Sequence, residues 1–333
     1  MAQGREKRSP SDLETLWKES DMSDGRKVDA MVAIMRTNGC VWAKTGGCTM
    51  CGYRTASLNG VTEEDLNAQI DQALAKYKGE PFVKIYTSGS FFDPEEIPVP
   101  VRERVFREFA GCRRLLVESR PEFITDELAA SLPKNITVAL GLESSNEEIL
   151  RTSINKGFTA AQSKAAGERL KAASLMVRTY LLLKPPFMSE KAGMDDVISS
   201  VRFADPFSDE ISINPLNIQH GTYVERLWKR GDFRPPWIWS LMEVMKKVSG
   251  TVHSRIISSP SGGGSQRGVH NCGKCDAEAL AAVERFSFSQ DPADLNVACE
   301  CRKTWEQYLE AEKYLRTAAD IGRAFDSDLT IRM

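Results

Sequence analysis

Three cysteines stand close together in the segment GCVWAKTGGCTMCGYR: Cys40, Cys48 and Cys51, spaced C-x7-C-x2-C. Thiolates at this density bind metal, and three of them leave a four-ligand site one short. An iron-sulfur cube has four corner irons and ordinarily takes one thiolate on each. When a tight loop supplies three, one iron stays open to a substrate or cofactor, which is the arrangement of an enzyme. The plainer reading is a structural zinc with a distant fourth ligand, but such sites normally draw paired C-x2-C knuckles from two places and are closed.

A second set differs in kind. Cys272 and Cys275 form C-x2-C, and Cys299 and Cys301 follow as C-x-C. Four thiolates from two loops make a closed site that suits structural zinc. A second iron-sulfur cluster takes the same four ligands, and His270 is near enough in sequence to replace one sulfur. Cys112, alone near a helix end, reads as an ordinary buried cysteine.

The elements that must hold the first loop are legible around it. A chain of 333 residues, 41% apolar and 27% charged, is long enough for one large α/β domain with a small appendage. Candidate strands fall at 28–36, 82–88, 113–119, 135–143, 176–184 and 210–218. Helical patterns fall between them at 62–78, 98–110, 125–132, 145–152, 159–174 and 192–204, with a further one at 11–20. Six strand-then-helix units imply a parallel sheet with right-handed crossovers. The fold class is therefore α/β, a partial (β/α)6 barrel of the TIM type, two units short of closure. Cys40 comes just after the first strand, so the three thiolates sit at the carboxyl end of a barrel strand, where such folds keep their chemistry. The expected organisation is an N-terminal extension over 1–27, the barrel over 28–220, and a C-terminal region over 221–333. That last region carries the four-cysteine site and a Gly/Ser-rich stretch at 258–268 that reads as a flexible loop.

With 44 Lys and Arg against 46 Asp and Glu, a formal net charge of −2 argues against holding nucleic acid by global charge. A local patch remains open: Arg226, Lys229, Arg230 and Arg234 interleave with Trp228, Trp237 and Trp239, a mixture suited to phosphates and stacked bases, or to covering the barrel bottom. No apolar h-region follows the charged start, and no stretch approaches the ~18 apolar residues of a spanning helix. This places the chain in the cytoplasm, away from membranes.

The cysteine loop, with aromatic Tyr53 beyond its third cysteine, resembles the signature of the radical S-adenosylmethionine (SAM) enzymes. The segments IYTSGSFFDPEEIP (85–98), LLVESRPEFI (115–124), ALGLESSNEEIL (139–150) and INKGFT (154–159) are similar to the branch that includes the Elp3-type tRNA enzymes. RGVHNCGKCD, FSFSQD and ACECRKTW are similar to one narrower family, the radical SAM subunits of archaeosine synthase. The resemblance spans about residues 28 to 310. It implies a [4Fe-4S] cluster on Cys40, Cys48 and Cys51 whose open iron chelates SAM, and an external electron donor that lets the sulfonium split to a 5'-deoxyadenosyl radical. It also implies that Ser88, Gly89 and Ser90 hold the SAM amino group through backbone carbonyls, beside Tyr53.

Glu118 and Glu143, ending the third and fourth strands, are acceptor-only groups suited to the ribose hydroxyls or the SAM ammonium. Gly141 permits close approach of the nucleoside, and Arg178 is shaped to fork onto the SAM carboxylate. Either glutamate has a plainer reading as a rim residue paired with Arg120 or Lys156, and Arg178 has a structural one. Lys156, Lys184, Asn217 and His220 are rim candidates for substrate contact, with Asn214 and Gln219 beside them to read a base edge or an amino acid. Each lysine alone is equally readable as solvated.

For activity, the resemblance implies a carbon-nitrogen lyase. A partner enzyme attaches lysine to the nitrile of a 7-cyano-7-deazaguanine base in tRNA, and the radical enzyme cleaves the lysine carbon-nitrogen bond to leave the formamidine of archaeosine. The implied partners are that lysine-bearing tRNA, the lysine-transferring subunit and the electron donor. Two other readings stay open: a different radical SAM transformation of tRNA or a small molecule, and a non-catalytic metal-bound subunit of a tRNA-modification complex.

Overall fold

The computed structural model describes residues 9–55 and 57–312, with Arg54 described by its backbone alone. One eight-stranded sheet runs in chain order from β1 to β8. β1 (Thr15–Ser23) and β2 (Arg26–Ile34) form an antiparallel hairpin. Its two-residue turn, Asp24-Gly25, has both φ angles positive (49° and 71°), as a turn matched to strand twist requires. The rest of the sheet is parallel: β3 (Phe82–Tyr86), β4 (Arg114–Ser119), β5 (Ile136–Glu143), β6 (Met176–Leu183), β7 (Glu210–Pro215) and β8 (Arg255–Ile257).

Helices cover the outer face of this sheet. They are α1 (Val41–Thr45), α2 (Glu63–Lys76), α3 (Val99–Glu108), α4 (Asp126–Ser131), a π-helical turn at Ile149–Ile154, α5 (Ala160–Ala172) and α6 (Glu190–Ala204), then α7 (Tyr223–Lys229), α8 (Ile238–Val248), α9 (Asp276–Ser289) and α10 (Cys301–Ala311). Thr62 closes a capping box with Asp65 at the start of α2, so the expected polar opening of that helix is a true cap. The partial barrel expected from the sequence is the fold, extended by β8 beyond residue 220. The helix expected at 11–20 is instead β1. Leu, Glu and Lys there carry helix propensity, but nine residue pairs with β2 outweigh it.

Strand side chains alternate between two environments. Outward residues such as Val83, Ile85, Leu115, Val117, Val138 and Leu140 pack with Leu66, Ile70, Val101, Val105 and Leu170 of α2, α3 and α5. The inward apolar set is small: Ala30, Phe82, Leu116 and Ala139 pack with Val28, Tyr86 and Tyr180. Below, charges close the amino end. Arg114 pairs with both oxygens of Glu210 at 2.9 and 2.6 Å, Arg178 reaches Glu210 at 2.8 Å and Asp21 at 3.1 Å, and Lys84 reaches Asp21 at 2.5 Å. Burial alone would raise the Glu210 carboxyl, but Arg178 and Arg114 hold it down to about 2. Arg178 is thus corrected from a cofactor ligand to part of this plug: its guanidinium is buried and occupied, near the amino end of β6, opposite the cysteine loop.

One continuous core runs from Leu142 in the barrel through Val197 of α6, Trp239 of α8 and Val283 of α9 to Trp305 of α10. The stretch 258–268 is tied down, contrary to the expectation of a flexible loop. Ile218 N donates to Arg267 O at 2.7 Å, Gly264 N to Val269 O at 2.8 Å, and Ser258 Oγ to Ile213 O at 2.6 Å. Among the described residues no helix is long and apolar enough to cross a membrane.

Candidate active site

The cysteine loop leaves β2 at the carboxyl end of the barrel and is held from two sides. Thr49 N donates to Ile154 O at 2.9 Å and Thr49 Oγ1 to Ser153 O at 2.7 Å. Trp42 Nε1 donates to Asn155 O at 2.7 Å, and Asn155 Nδ2 returns a bond to Gly47 O at 2.8 Å. The wide π turn before Asn155, and the left-handed Asn155 itself (φ 55°, ψ 57°), present these groups to the loop. From the other side Gly52 N donates to Gln219 Oε1 at 2.5 Å, and Tyr223 N to Thr49 O at 3.0 Å. Gln219, expected to read a substrate edge, is therefore spent on the loop.

Glu96 is the residue that sequence reasoning missed. Its buried carboxylate accepts Ser88 N at 3.0 Å, Ser90 N at 2.5 Å and Thr37 Oγ1 at 2.6 Å. One side chain thereby fixes Ser88-Gly89-Ser90 against the segment that leads to Cys40. The contact is so close that a Cβ on Gly89 would lie 2.5 Å from Cys40 Cα. A carboxylate in FFDPEEIP gives no sequence signal that it turns inward.

Glu143 sits at a β-bulge in β5 with φ 68°, a left-handed conformation unusual for a glutamate. The bulge aims its carboxylate at Lys156 Nζ, 2.8 Å away. A Cβ on Gly141 would stand 3.1 Å from the same Nζ, so glycine keeps this approach open. Glu118, half-buried at the end of β4, forms no ion pair among the described residues, and burial pushes its carboxyl up to about 7 against a Tyr180 hydrogen bond that lowers it. Burial also pushes the Cys48 thiol up to about 12 and raises Cys51, while Lys156 acts in the opposite sense on both. Thiolates in such a place need a cation against them, as a metal centre provides.

Other expected residues fall elsewhere. Tyr53 follows the third cysteine with its residue 55% exposed. Lys184 is corrected from a rim contact: it is buried with φ 60°, and its ammonium lies 2.8 Å from Glu190 Oε2, beneath Phe233 and Tyr308. Asn217 Nδ2 donates to Ser261 O at 3.3 Å. His220 is on the rim, its side chain 82% exposed, with Nδ1 3.0 Å from Glu225. Cys112 is buried, as expected.

The two cysteine sets have different geometries. Sulfur separations in the second are 3.8 Å (Cys272–Cys275), 3.8 Å (Cys272–Cys299) and 3.6 Å (Cys275–Cys301). A tetrahedral ion with metal–sulfur bonds of ~2.3 Å puts its sulfurs about 3.8 Å apart. Trp239 Nε1 and Asn271 Nδ2 donate to Cys301 and Cys275 sulfurs, orienting them from outside. These four are the one group of three or more His, Cys, Asp or Glu among the described residues whose ligand atoms all converge within 4.8 Å. Cys40, Cys48 and Cys51 do not converge to a single-ion cage, and a cube that takes each thiolate on a separate iron holds its ligands wider. The donor set and the tight cradle around Gly89 thus fit an iron-sulfur cube bound through three cysteines.

No family model matches the chain. It is 40% identical over 312 residues to archaeosine synthase subunit beta of Methanosarcina acetivorans, covering 90% of each chain. It is 39% identical over 312 residues to archaeosine synthase subunit beta of Thermococcus kodakarensis, covering 89% of this chain and 96% of the relative. A radical SAM methyltransferase from Sphaerobacter thermophilus shares the fold at a TM-score of 0.51 and 16% identity, over 74% of this chain and 78% of that one. With a radical SAM fold and relatives of this closeness over nearly the whole length, the chain belongs to the archaeosine synthase subunit beta family.

Proposed function

We propose that this chain is the radical SAM lyase of archaeosine formation, cleaving the lysine carbon-nitrogen bond of lysine-adducted 7-cyano-7-deazaguanine in tRNA. The observation that carries the reading is the three-cysteine loop, one ligand short and fixed at the carboxyl mouth of the barrel, in a chain 40% identical to an archaeosine synthase subunit. Cys40, Cys48 and Cys51 would hold the [4Fe-4S] cluster. When bound, the cluster and SAM would supply a 5'-deoxyadenosyl radical, the hydrogen-abstracting agent that opens the lysine chain of the adduct to carbon-nitrogen cleavage.

The chain's own residues position and shield that chemistry. Ser88-Gly89-Ser90, held by Glu96, offers backbone carbonyls beside Cys40 for the SAM amino group. Glu143 and Gly141 form an open, polar edge for the SAM nucleoside, and Lys156 keeps the Glu143 carboxylate from drifting. Glu118, without a cation of its own among the described residues, takes an ammonium at the base of the mouth. Trp42, Phe158 and the Arg120 guanidinium between them close the wall beside the loop and limit access of water. Asn217 and His220 stand on the rim, where the nucleotide enters. In the C-terminal region Cys272, Cys275, Cys299 and Cys301 bind one zinc ion, a reading supported by sulfur separations of 3.6–3.8 Å.

The test is anaerobic reconstitution with iron and sulfide, followed by SAM, a reductant and tRNA already carrying the lysine adduct. Nucleoside analysis should show archaeosine replacing the adduct. An unchanged nucleoside profile, with SAM still consumed, would leave a radical SAM enzyme of another substrate and remove the lyase reading.

A further inference from the structure

Beside the cysteine loop lies a ledge that the lyase chemistry does not use. The first amides of α7, Tyr223 N and Val224 N, donate to Thr49 O at 3.0 and 3.3 Å, between Cys48 and Cys51, so the helix is fixed to the loop. Away from this contact α7 exposes Arg226 and Lys229, with Arg230 at its carboxyl end, and Arg267 lies alongside from the stretch 258–268. Glu225 organises the group from below. Its Oε1 is 2.8 Å from Arg267, 3.4 Å from Lys229 and 3.0 Å from His220 Nδ1, while its Oε2 accepts Gly221 N at 3.0 Å.

One buried carboxylate thus serves three side chains and neutralises less charge than it assembles. Four permanent cations (Arg226, Lys229, Arg230 and Arg267) meet two carboxylates, Glu225 and Asp232. Among the described residues Arg226 and Arg230 form no ion pair, and the Lys229 side chain is 62% exposed. The guanidinium planes lie on rings, Arg267 over Trp228 at 4.9 Å and Arg226 over Tyr223 at 5.0 Å. Trp237 and Trp239, expected in the same platform, are buried in the core with α8 and do not contribute. In a chain of net charge −2, cations and half-exposed rings are concentrated at the lip of the proposed active site.

We propose that the α7 ledge docks the RNA backbone flanking the target nucleotide, an inference that rests on the reading of tRNA as the substrate. A base reaching an iron inside a barrel must leave its stack. The strand on either side then has to be held at the rim, by phosphates on Arg226, Lys229 and Arg230 and by a base face on Trp228 or Tyr223. The cost of extruding the nucleotide is offset where the helix is already bonded to the cluster loop, so docking and reaction share one rigid support.

The test uses full-length reconstituted protein and an unmodified tRNA transcript, with affinity measured by fluorescence anisotropy across a salt series. The wild type should bind at low salt. The double variant Arg226→Glu with Arg230→Glu should lose at least about tenfold in affinity, and its slope of log K against log salt should be shallower by about 1 to 2, as expected for two lost phosphate contacts. Arg226→Gln with Arg230→Gln, which removes the charges and keeps helix propensity, should fall between, and iron content should report that the variants fold. Lys247→Glu, on the exposed end of α8, should change neither affinity nor slope. No binding by the wild type at low salt overturns the proposal, as does a double variant that matches it or an equal loss in Lys247→Glu. If ledge variants weaken binding while lysine-bearing tRNA is not converted, the lyase reading fails and the ledge stands.

Discussion

Glu96 fixes the cysteine loop through three bonds, to Thr37 Oγ1, Ser88 N and Ser90 N, made only after β3 and its following turn are in place. Glu96→Gln puts an NH2 where only acceptors fit and should destabilise by about 1–3 kcal/mol, with loss of SAM affinity. Denaturant unfolding and SAM titration of the same preparation check both. Glu118 offers a test with opposite signs. Its folded carboxyl is raised to about 7, so ionisation penalises the native state, and the penalty grows as pH rises from the ordinary carboxylate range through 7. Glu118→Gln should therefore raise the melting temperature of the apoprotein at pH 8 and leave it nearly unchanged at pH 5, while weakening SAM binding. Equal melting temperatures at pH 8 would show that Glu118 is not penalised by burial.

Barrel strands were readable from short apolar runs, because both faces of a parallel sheet are covered. β1 was not, because its inward residues Glu19 and Asp21 are charged and serve Lys84 and Arg178 across the sheet, a role visible only once β1 lies beside β2. The same long-range pairing explains why Arg178 looked available and is not. Glu210 is the hinge of this plug. Its folded carboxyl, held down to about 2, contributes stability that is fully present above the unfolded value of about 4.3 and is lost as pH falls toward 2. Glu210→Gln leaves Arg114 and Arg178 short of a buried partner and should cost about 3–5 kcal/mol. It should also flatten the acid limb of the stability profile between about pH 4.5 and pH 2. A variant that unfolds with the wild-type profile would show that the plug is energetically idle.

Across the whole molecule, the four-cysteine site is joined to the barrel through α10. Glu312, just past that helix, accepts Glu190 N through both oxygens at 2.9 and 2.8 Å, and Glu190 in turn meets Lys184 at the end of β6. The link carried no sequence signal, since Glu312 meets Glu190 across 122 residues of chain. Cys275→Ser should remove the tetrahedral metal, leave iron in place, and raise hydrogen exchange in α10 and the first turn of α6. Exchange confined to residues near Cys275 would limit the site to local support. The central claim is that the first cysteine set holds an iron-sulfur cluster with an open iron that cleaves SAM, separate from the closed set. It is tested most directly by reconstituting the wild type, Cys48→Ala and Cys275→Ser anaerobically, adding dithionite and SAM, and measuring 5'-deoxyadenosine. The wild type should produce it, Cys48→Ala should lose both iron and product, and Cys275→Ser should retain cluster iron; product from Cys48→Ala at the wild-type level, or none from an iron-replete wild type, would contradict the claim.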